Sequence, residues 1–274
     1  MDTVLAVIVL YNIKLAESTT FNSLTAALQH TDARLNLLVY DNSEVSTYED
    51  TMYQHWDITY VHDPANPGVS KAYNYGLKIA RELNKHWLLL LDQDTMFPIN
   101  SISSYSTAIT NNQVMALIAP IVKVSALILS PYKNWYGHGR SLKQVNFGAT
   151  NLKDYKVVNS GLMIHVDLFE KCGGYNETIR MDYSDLSFLL KAQKHIKEVI
   201  VIDLACEQKF FHLEEENTEL RLSRFNMYCH DLNAIYTQTR NVMYKITGLL
   251  RALKLSVTQK QFDYLCQFYK ICLT

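Results

Sequence analysis

Five apolar residues in a row, Trp87 to Leu91, end on two carboxylates spaced one residue apart in "HWLLLLDQDTMFPIN", His86 to Asn100. Such a run is too short to span a membrane and lacks the polar alternation of a half-exposed strand, which leaves a parallel strand covered on both faces. "VLAVIVLY" and "LNLLVYD" earlier in the chain are of the same kind, and "ITYVH" is a shorter third. Segments of helical period separate them. "AESTTFNSLTAALQ" sets Phe21, Leu24 and Leu28 on one face, and "GVSKAYNYGLKIARELN" follows "ITYVH". Strands alternating with helices in this way build βαβ units, so the fold class expected is α/β with a largely parallel, Rossmann-like sheet. Ligands of open α/β sheets bind beyond the carboxyl ends of the strands, where Asp92 and Asp94 stand.

Downstream, the pattern predicts a helix after Pro98, a strand in "VMALIAPIVKV", a mixed strand in "YKVVNSGLMIHV", a helix in "DYSDLSFLLKAQKH", a strand in "EVIVID", and helices from about Asn217 onward. Residues 130–150 carry three of the nine glycines among aromatic and polar residues, which reads as an ordered loop over a site.

Several function classes drop out. A formal net charge of -1, with no regular interleaving of basic and aromatic residues, gives no attraction to nucleic acid. Five cysteines, odd in number and without a CxxC pair, are expected to be reduced thiols in a cytoplasmic setting. "MDTVLAVIVLYN" has an acid where a secretory signal needs basic residues, and "ALIAPIVKVSALIL" is broken by Pro120 and Lys123, so neither a signal nor a spanning helix is expected.

Tyr11, Asp41 and Asp92 follow three of these strands. Each alone satisfies a turn. Together on one sheet edge they offer a ring to stack on a base and carboxylates to accept a ring N–H and ribose hydroxyls. "NPGVSKAYNYGLKIA" places Lys71 near a helix start, but neither GxGxxG nor GxxxxGK[ST] occurs, so a diphosphate needs another holder. A divalent ion on Asp94 would serve.

"AVIVLYN", "VYDNSE", "NPGVSKAYNYGLKIA", "LLLLDQDT" and "NSGLMI", in this order, resemble family-2 glycosyltransferases of the GT-A fold, on the bacterial rhamnosyltransferase-like branch. The resemblance covers residues 3 to about 215. It implies a GT-A domain over 1–215 with a helical extension over 216–274. Within it Asp41 would bind uracil or thymine, Asp92 the ribose, and Asp94 the Mn2+ or Mg2+ on the diphosphate, with Tyr11, Lys71 and Gln93 completing the donor site. The family's catalytic base matches Asp185 in "CGGYNETIRMDYSDLSFLLKA"; the alternative reading of Asp182 and Asp185 is a helix cap at N-cap and N3. Ser187 departs from the branch, which usually has Glu there. Ser160, Gly161 and Asp182 would line the acceptor side, and His212 is either a metal ligand or a structural residue. The QxxRW motif of processive synthases is absent, which implies one sugar per encounter. The implied reaction is inverting transfer from dTDP-rhamnose or a UDP-hexose to a glycan or polyprenyl-linked glycan in surface polysaccharide synthesis.

Two rivals stand beside it. "LLLLDQDTMF" also fits the strand and DxDxT of haloacid dehalogenase phosphatases, with Asp92 as nucleophile and Asp94 as acid/base, although that nucleophile normally follows the first strand. A non-catalytic sugar-nucleotide-binding protein would need the acidic pair only as a cap. In the tail, Ile246, Leu249, Leu250 and Leu253 form an apolar stripe, and Phe262, Leu265, Tyr269 and Cys272 extend it. From Arg240 onward there are six Lys or Arg against one acid, Asp263. That stripe either packs on the core, forms a homodimer contact, or lies on the inner face of the plasma membrane.

Overall fold

The computed structural model describes residues 1–112, 116–135, 138–208 and 218–273. The chain begins with β1 (Val4–Leu10), a single 3-10 turn (Leu15–Glu17), α1 (Thr19–Leu28), β2 (Leu35–Asp41), β3 (Trp56–His62), α2 (Val69–Glu82) and β4 (Trp87–Leu91). It continues through β5 (Thr95–Met96), α3 (Ser101–Asn111), β6 (Leu117–Val124), β7 (Leu127–Trp135), β8 (His138–Leu142), β9 (Gly148–Asn151), β10 (Tyr155–Lys156) and β11 (Met163–His165). Then follow α4 (Val166–Lys171), α5 (Ser184–Ala192), β12 (Glu198–Gln208), α6 (Thr218–Thr239), α7 (Met243–Gln259) and α8 (Asp263–Cys272).

β3, β2, β1 and β4 run parallel side by side; β11 is the reversed strand between β4 and β6, and β12 lies parallel on the far side of β6. The continuous apolar runs have a direct cause. Leu5, Val7 and Val9 of β1 and Leu88 and Leu90 of β4 pack on one face with Ala72 and Tyr73 of α2, Phe169 of α4 and Phe188 of α5. Ala6, Ile8 and Leu10 with Leu89 and Leu91 pack on the other face, against Phe21 and Leu24 of α1 and Ile102 and Tyr105 of α3. With helices on both faces, successive side chains all need to be apolar. Each buried Leu or Ile contributes roughly 1.5–3 kcal/mol, so truncating Leu89 to Ala would cost about 2–5 kcal/mol.

The register aligns the strand ends. Leu10 of β1 stands opposite Asp41 of β2, and Ile8 stands opposite Leu91 of β4. Tyr11, Asp41 and Asp92 therefore share one edge of the sheet, as the sequence predicts.

Two segments differ from expectation. Residues 130–150 are largely strand: β7 pairs antiparallel with β8, and β9 pairs with β12. Tyr132 and Trp135 of β7, Gly139 of β8 and Gly148 of β9 belong to paired strands, which short-range composition cannot tell from a loop. "YKVVNSGLMIHV" is not one strand but two short ones, because Gly161 adopts φ +78 between them. A side chain at Gly161 would meet the Tyr105 hydroxyl and the Pro120 ring, each at 2.8 Å.

α6, α7 and α8 pack on one another through Cys229, Leu232, Tyr244, Ala252, Tyr264 and Phe268, and this cluster reaches the sheet layers through Ile179 and Leu186. No described helix is long and apolar enough to cross a membrane.

Candidate active site

The Asp92-Gln93-Asp94 turn is clamped at its base. The Ser18 hydroxyl caps α1 by accepting from the Phe21 amide, and donates to the Gln93 carbonyl at 2.8 Å. Thr20 exchanges hydrogen bonds with the Thr95 carbonyl and amide. The Gln93 side chain turns back onto β1, accepting from the Tyr11 amide at 2.8 Å and donating to the Tyr11 carbonyl at 3.4 Å. Gln93 thus fastens the turn to the half-exposed Tyr11, and both acids project from a fixed frame.

Asp92 accepts hydrogen bonds from the Ser160 hydroxyl and, at 3.3 Å, the Tyr73 hydroxyl. Burial nevertheless raises its pKa. Asp94 accepts from Gln208 at 3.2 Å, and burial together with the charge of Asp92 pushes its pKa up to about 6. Ser160 reaches Asp92 because the Gly161 amide is tied to the Leu90 carbonyl, while Tyr105 donates to the Gly161 carbonyl at 2.6 Å. Gly161 acts here through its backbone. Asn159 links the same turn to the start of α5 by donating to Ser184, and accepts from Tyr175.

Asp185 lies across this crevice, whose cavity of about 270 Å3 is lined by Asp92, Ser160, Asp182 and Asp185 among others. One oxygen accepts from the Leu186 amide at 2.6 Å. Burial, followed by the charges of Asp92 and Asp182, pushes its pKa up to about 6. Among the described residues no cation lies within ion-pair distance of Asp92, Asp94 or Asp185. The helix cap that is the alternative reading of Asp182 is not formed: the N-cap of α5 is Tyr183, at φ +66, and Asp182 instead pairs with Arg224 of α6 at 2.7 Å. Ser187 is buried and donates to Gln238 of α6, so it faces the helical tail rather than the crevice.

What holds Asp182 and Asp185 near Asp92 is a close approach of backbone. Gly68, at φ +91, precedes α2 where a side chain would strike the Arg180 carbonyl oxygen. The Val69 amide donates to that carbonyl, and the Ser70 hydroxyl to the Ile179 carbonyl. This is the local reason for glycine and serine in "NPGVS". From the other side Asp231 of α6, fully buried, accepts the amides of Arg180, Met181 and Asp182 at 2.8, 2.9 and 2.8 Å. Sequence reasoning missed Asp231. An acid within the helical segment expected after Asn217 was the available signal.

At the β2 end, Asp41 is buried. One oxygen accepts from the Ser43 amide; the other accepts from the Thr47 amide, the Thr47 hydroxyl and the Tyr60 hydroxyl. Burial pushes its pKa up, but these donors outweigh it and hold it at about 2. Beside it Asn42 is buried with its side-chain oxygen unpartnered among the described residues. Lys71 pairs with Asp63 at 3.0 Å, and Asp63 also accepts from Tyr40. His212 lies outside the described residues.

A second cavity of about 390 Å3 adjoins the crevice and shares Asp182, Tyr183 and Asp185 with it. Its walls include Tyr132 and Asn134 of β7 and, from the tail, Tyr228 and Arg251. The Arg251 guanidinium lies 4.0 Å from the Tyr228 ring centre. A hydroxyl-bearing ligand here would meet Asp185.

Residues 6–169 match the family described as Glycosyl transferase family 2. The dTDP-rhamnosyl transferase RfbF of Shigella flexneri is 23% identical over 94% of this chain and 84% of its own length. Among solved structures, S. aureus TarS 1-349 in complex with UDP-GlcNAc has a TM-score of 0.55 at 14% identity, covering 98% of this chain and 81% of that one. GalNAc-T7 with UDP, GalNAc and Mn2+ has a TM-score of 0.56 at 12% identity, covering 77% of this chain and 44% of that one. These likenesses agree with the GT-A architecture expected from the sequence.

Proposed function

This chain belongs to glycosyl transferase family 2, and on that premise we propose that it is an inverting, metal-dependent hexosyltransferase that moves one sugar from a nucleoside diphosphate to a glycan or polyprenyl-linked glycan. The observation that carries this reading is that Asp92 and Asp185 line one crevice, with Asp94 hydrogen-bonded to Gln208 of its wall and Asp185 held near a pKa of about 6 with one oxygen left to accept a proton. A general base works best with a pKa near the operating pH. Asp185 takes the proton of an acceptor hydroxyl seated in the larger cavity, and that oxygen attacks the anomeric carbon from the face opposite the departing diphosphate. The haloacid dehalogenase reading falls with the family membership and with Asp92 following β4, deep in the order of strands.

On the donor side the base stacks on Tyr11 beside the Asp41 turn, with Asn42 offering its unpartnered oxygen, and Asp92 receives the ribose. Lys71 and Gln93 complete this side, Gln93 by holding the Tyr11 backbone. Ser160, Gly161 and Asp182 border the acceptor. Residues 1–215 act as the GT-A domain and 216–274 as its extension. dTDP-rhamnose is supported by the likeness to the Shigella flexneri dTDP-rhamnosyl transferase, and a UDP-hexose by the TarS and GalNAc-T7 complexes.

The acids fit a divalent metal. The charge of Asp92 raises the proton affinity of Asp94, a repulsion that a cation relieves, and Mg2+ or Mn2+ commonly binds one or two carboxylates together with substrate phosphates. The described residues contain no cluster of three metal-ligating side chains, so diphosphate oxygens would complete the shell around Asp94. When bound, the ion supplies neutralisation of charge on the leaving diphosphate. A thermal-shift panel of UDP, dTDP, GDP and CMP, with Mn2+ or with chelator, tests the donor reading, since a ligand of the folded state raises apparent stability. A shift with UDP or dTDP that requires the metal is expected; equal shifts with chelator would remove the metal role. Sugar transfer from the matching donor, followed by anomeric configuration of the product, tests inversion and separates the enzyme from a non-catalytic binder.

A further inference from the structure

Helix α7 is built inside out. Its buried side consists of Tyr244 and the small residues Thr247, Gly248, Ala252 and Ser256. Its aliphatic residues Ile246, Leu249, Leu250, Leu253 and Val257 are all exposed, Val257 at 76%. Their spacing sets them on one stripe of a helix with 3.6 residues per turn. A stripe of this kind ordinarily faces a core. α8 extends the surface: Phe262 at its N-cap is 81% exposed and Tyr269 and Leu273 are also exposed, while Tyr264, Phe268 and Cys272 turn inward. Cys272, expected on the outer stripe, is therefore on the packed side.

Charge identifies the occupant. α7 contains no acid, and Lys245 and Lys254 fall on opposite flanks of its stripe by helical geometry. From Arg240 onward six Lys or Arg accompany one acid, in a chain of net charge -1. We propose that the outer face of α7 and α8 docks on an anionic lipid bilayer, α7 lying in the interface plane with its aliphatic stripe among the acyl chains and Lys254 reaching the headgroups, while Lys245, 4.0 Å over the Tyr236 ring of α6, adds positive charge at the other flank. A second copy of the chain is the poorer occupant. Pairing this face with itself would bring the same lysines together with only Asp263 to receive them.

The docking deepens the acceptor reading and rests on it for its purpose. Arg251, adjacent in sequence to Leu250, lines the cavity that contains Asp185, so one helix reaches from the bilayer surface to the transfer site. A lipid-linked hydroxyl would arrive from that side.

The test is co-sedimentation of the full chain with vesicles of phosphatidylcholine alone or of phosphatidylcholine with phosphatidylglycerol, at low and high salt. Binding to the anionic vesicles that weakens with salt is expected. Lys254→Glu should reduce it about fivefold or more. Leu250→Ser and Val257→Ser, at exposed positions that leave the core intact, should each reduce it about tenfold. Transfer to a soluble acceptor lacking lipid should stay unchanged in all three variants, which separates failure of docking from failure of the transferase reading. Absence of salt-sensitive binding by the folded protein overturns the proposal. So does a dimer, seen by light scattering, that the stripe variants dissociate without any vesicle binding.

Discussion

Asp41 and Asp185 are both withdrawn from water, yet the fold drives their protons in opposite directions. Burial raises the proton affinity of each. Around Asp41 it is outweighed by donors from Ser43, Thr47 and Tyr60, and the carboxyl titrates at about 2. Around Asp185 only two backbone amides, that of Leu186 and its own, work against burial and the charges of Asp92 and Asp182, and the carboxyl titrates at about 6. A carboxylate surrounded by donors is fixed and organises a turn. One that faces other acids with an oxygen to spare is ready for an external proton or cation. Proximity to a strand end does not separate these cases; the count of donors does.

The comparison breaks most decisively at Asp185. Asp185→Asn should lower kcat by about 10²- to 10⁴-fold while leaving nucleotide affinity nearly unchanged, as transfer assays and calorimetry would read. Wild-type turnover in this variant would return Asp185 to a structural role. Its stability should move the other way. The folded carboxyl keeps its proton up to about pH 6 whereas the unfolded one loses it near 3.8, so stability drains as pH rises through that window and stays lower above it. Asn removes this loss, so urea unfolding at pH 7 should show a gain on the order of 2 kcal/mol. The wild-type kcat/KM should climb through about pH 6 and then level, as Asp185 becomes able to take a proton.

Asp94→Asn sharpens the metal side of the same crevice. Metal-dependent binding of UDP or dTDP should weaken by roughly ten- to a hundredfold, measured with Mn2+ and with chelator. Loss of affinity that is the same under both conditions would detach Asp94 from the ion.

Asp41→Asn should behave as the opposite of Asp185→Asn, destabilising the fold at pH 7 by about 1–3 kcal/mol because an amide cannot accept from all the donors in place. The sign is again fixed by the shift. Stability from Asp41 is complete above the unfolded value of 3.8 and is lost as pH falls through about 2. Equal stability of this variant and wild type would mean that the turn stands without its acid.

The smallest effect is expected at Arg251, where the tail meets the acceptor cavity. Arg251→Ala should raise the acceptor KM by about three- to tenfold with donor KM unchanged, consistent with roughly 1 kcal/mol for an exposed cation on a ring. A change confined to the donor KM would remove α7 from the acceptor side.

Much of the fold was legible because strands buried on both faces announce themselves as unbroken apolar runs, and the end of each run marks the functional edge. The β7–β8 hairpin was not legible, since its pairing relies on partners and not on a local period. Nor was Asp231, whose role is to receive three amides from a segment distant in sequence. The glycine of "NPGVS" read as a turn, and a turn it is, but its requirement comes from the Arg180 carbonyl pressing on it. On α7 the sequence identified the stripe and left its direction open. The structure turned it outward because Gly248 and Ala252 allow α6 and α8 to approach on the other side.

By itself, then, the sequence determined β1 to β4, their common edge, and which acids stand on it, because backbone period and turn chemistry act between near neighbours. Only the tertiary structure decided which acid is satisfied and which is left wanting. That depends on how many donors and charges arrive from other parts of the chain at hydrogen-bonding distance. Asp41 receives its donors from the turn that follows it and from β3, whereas Asp185 meets Asp92 across the sheet edge with almost none.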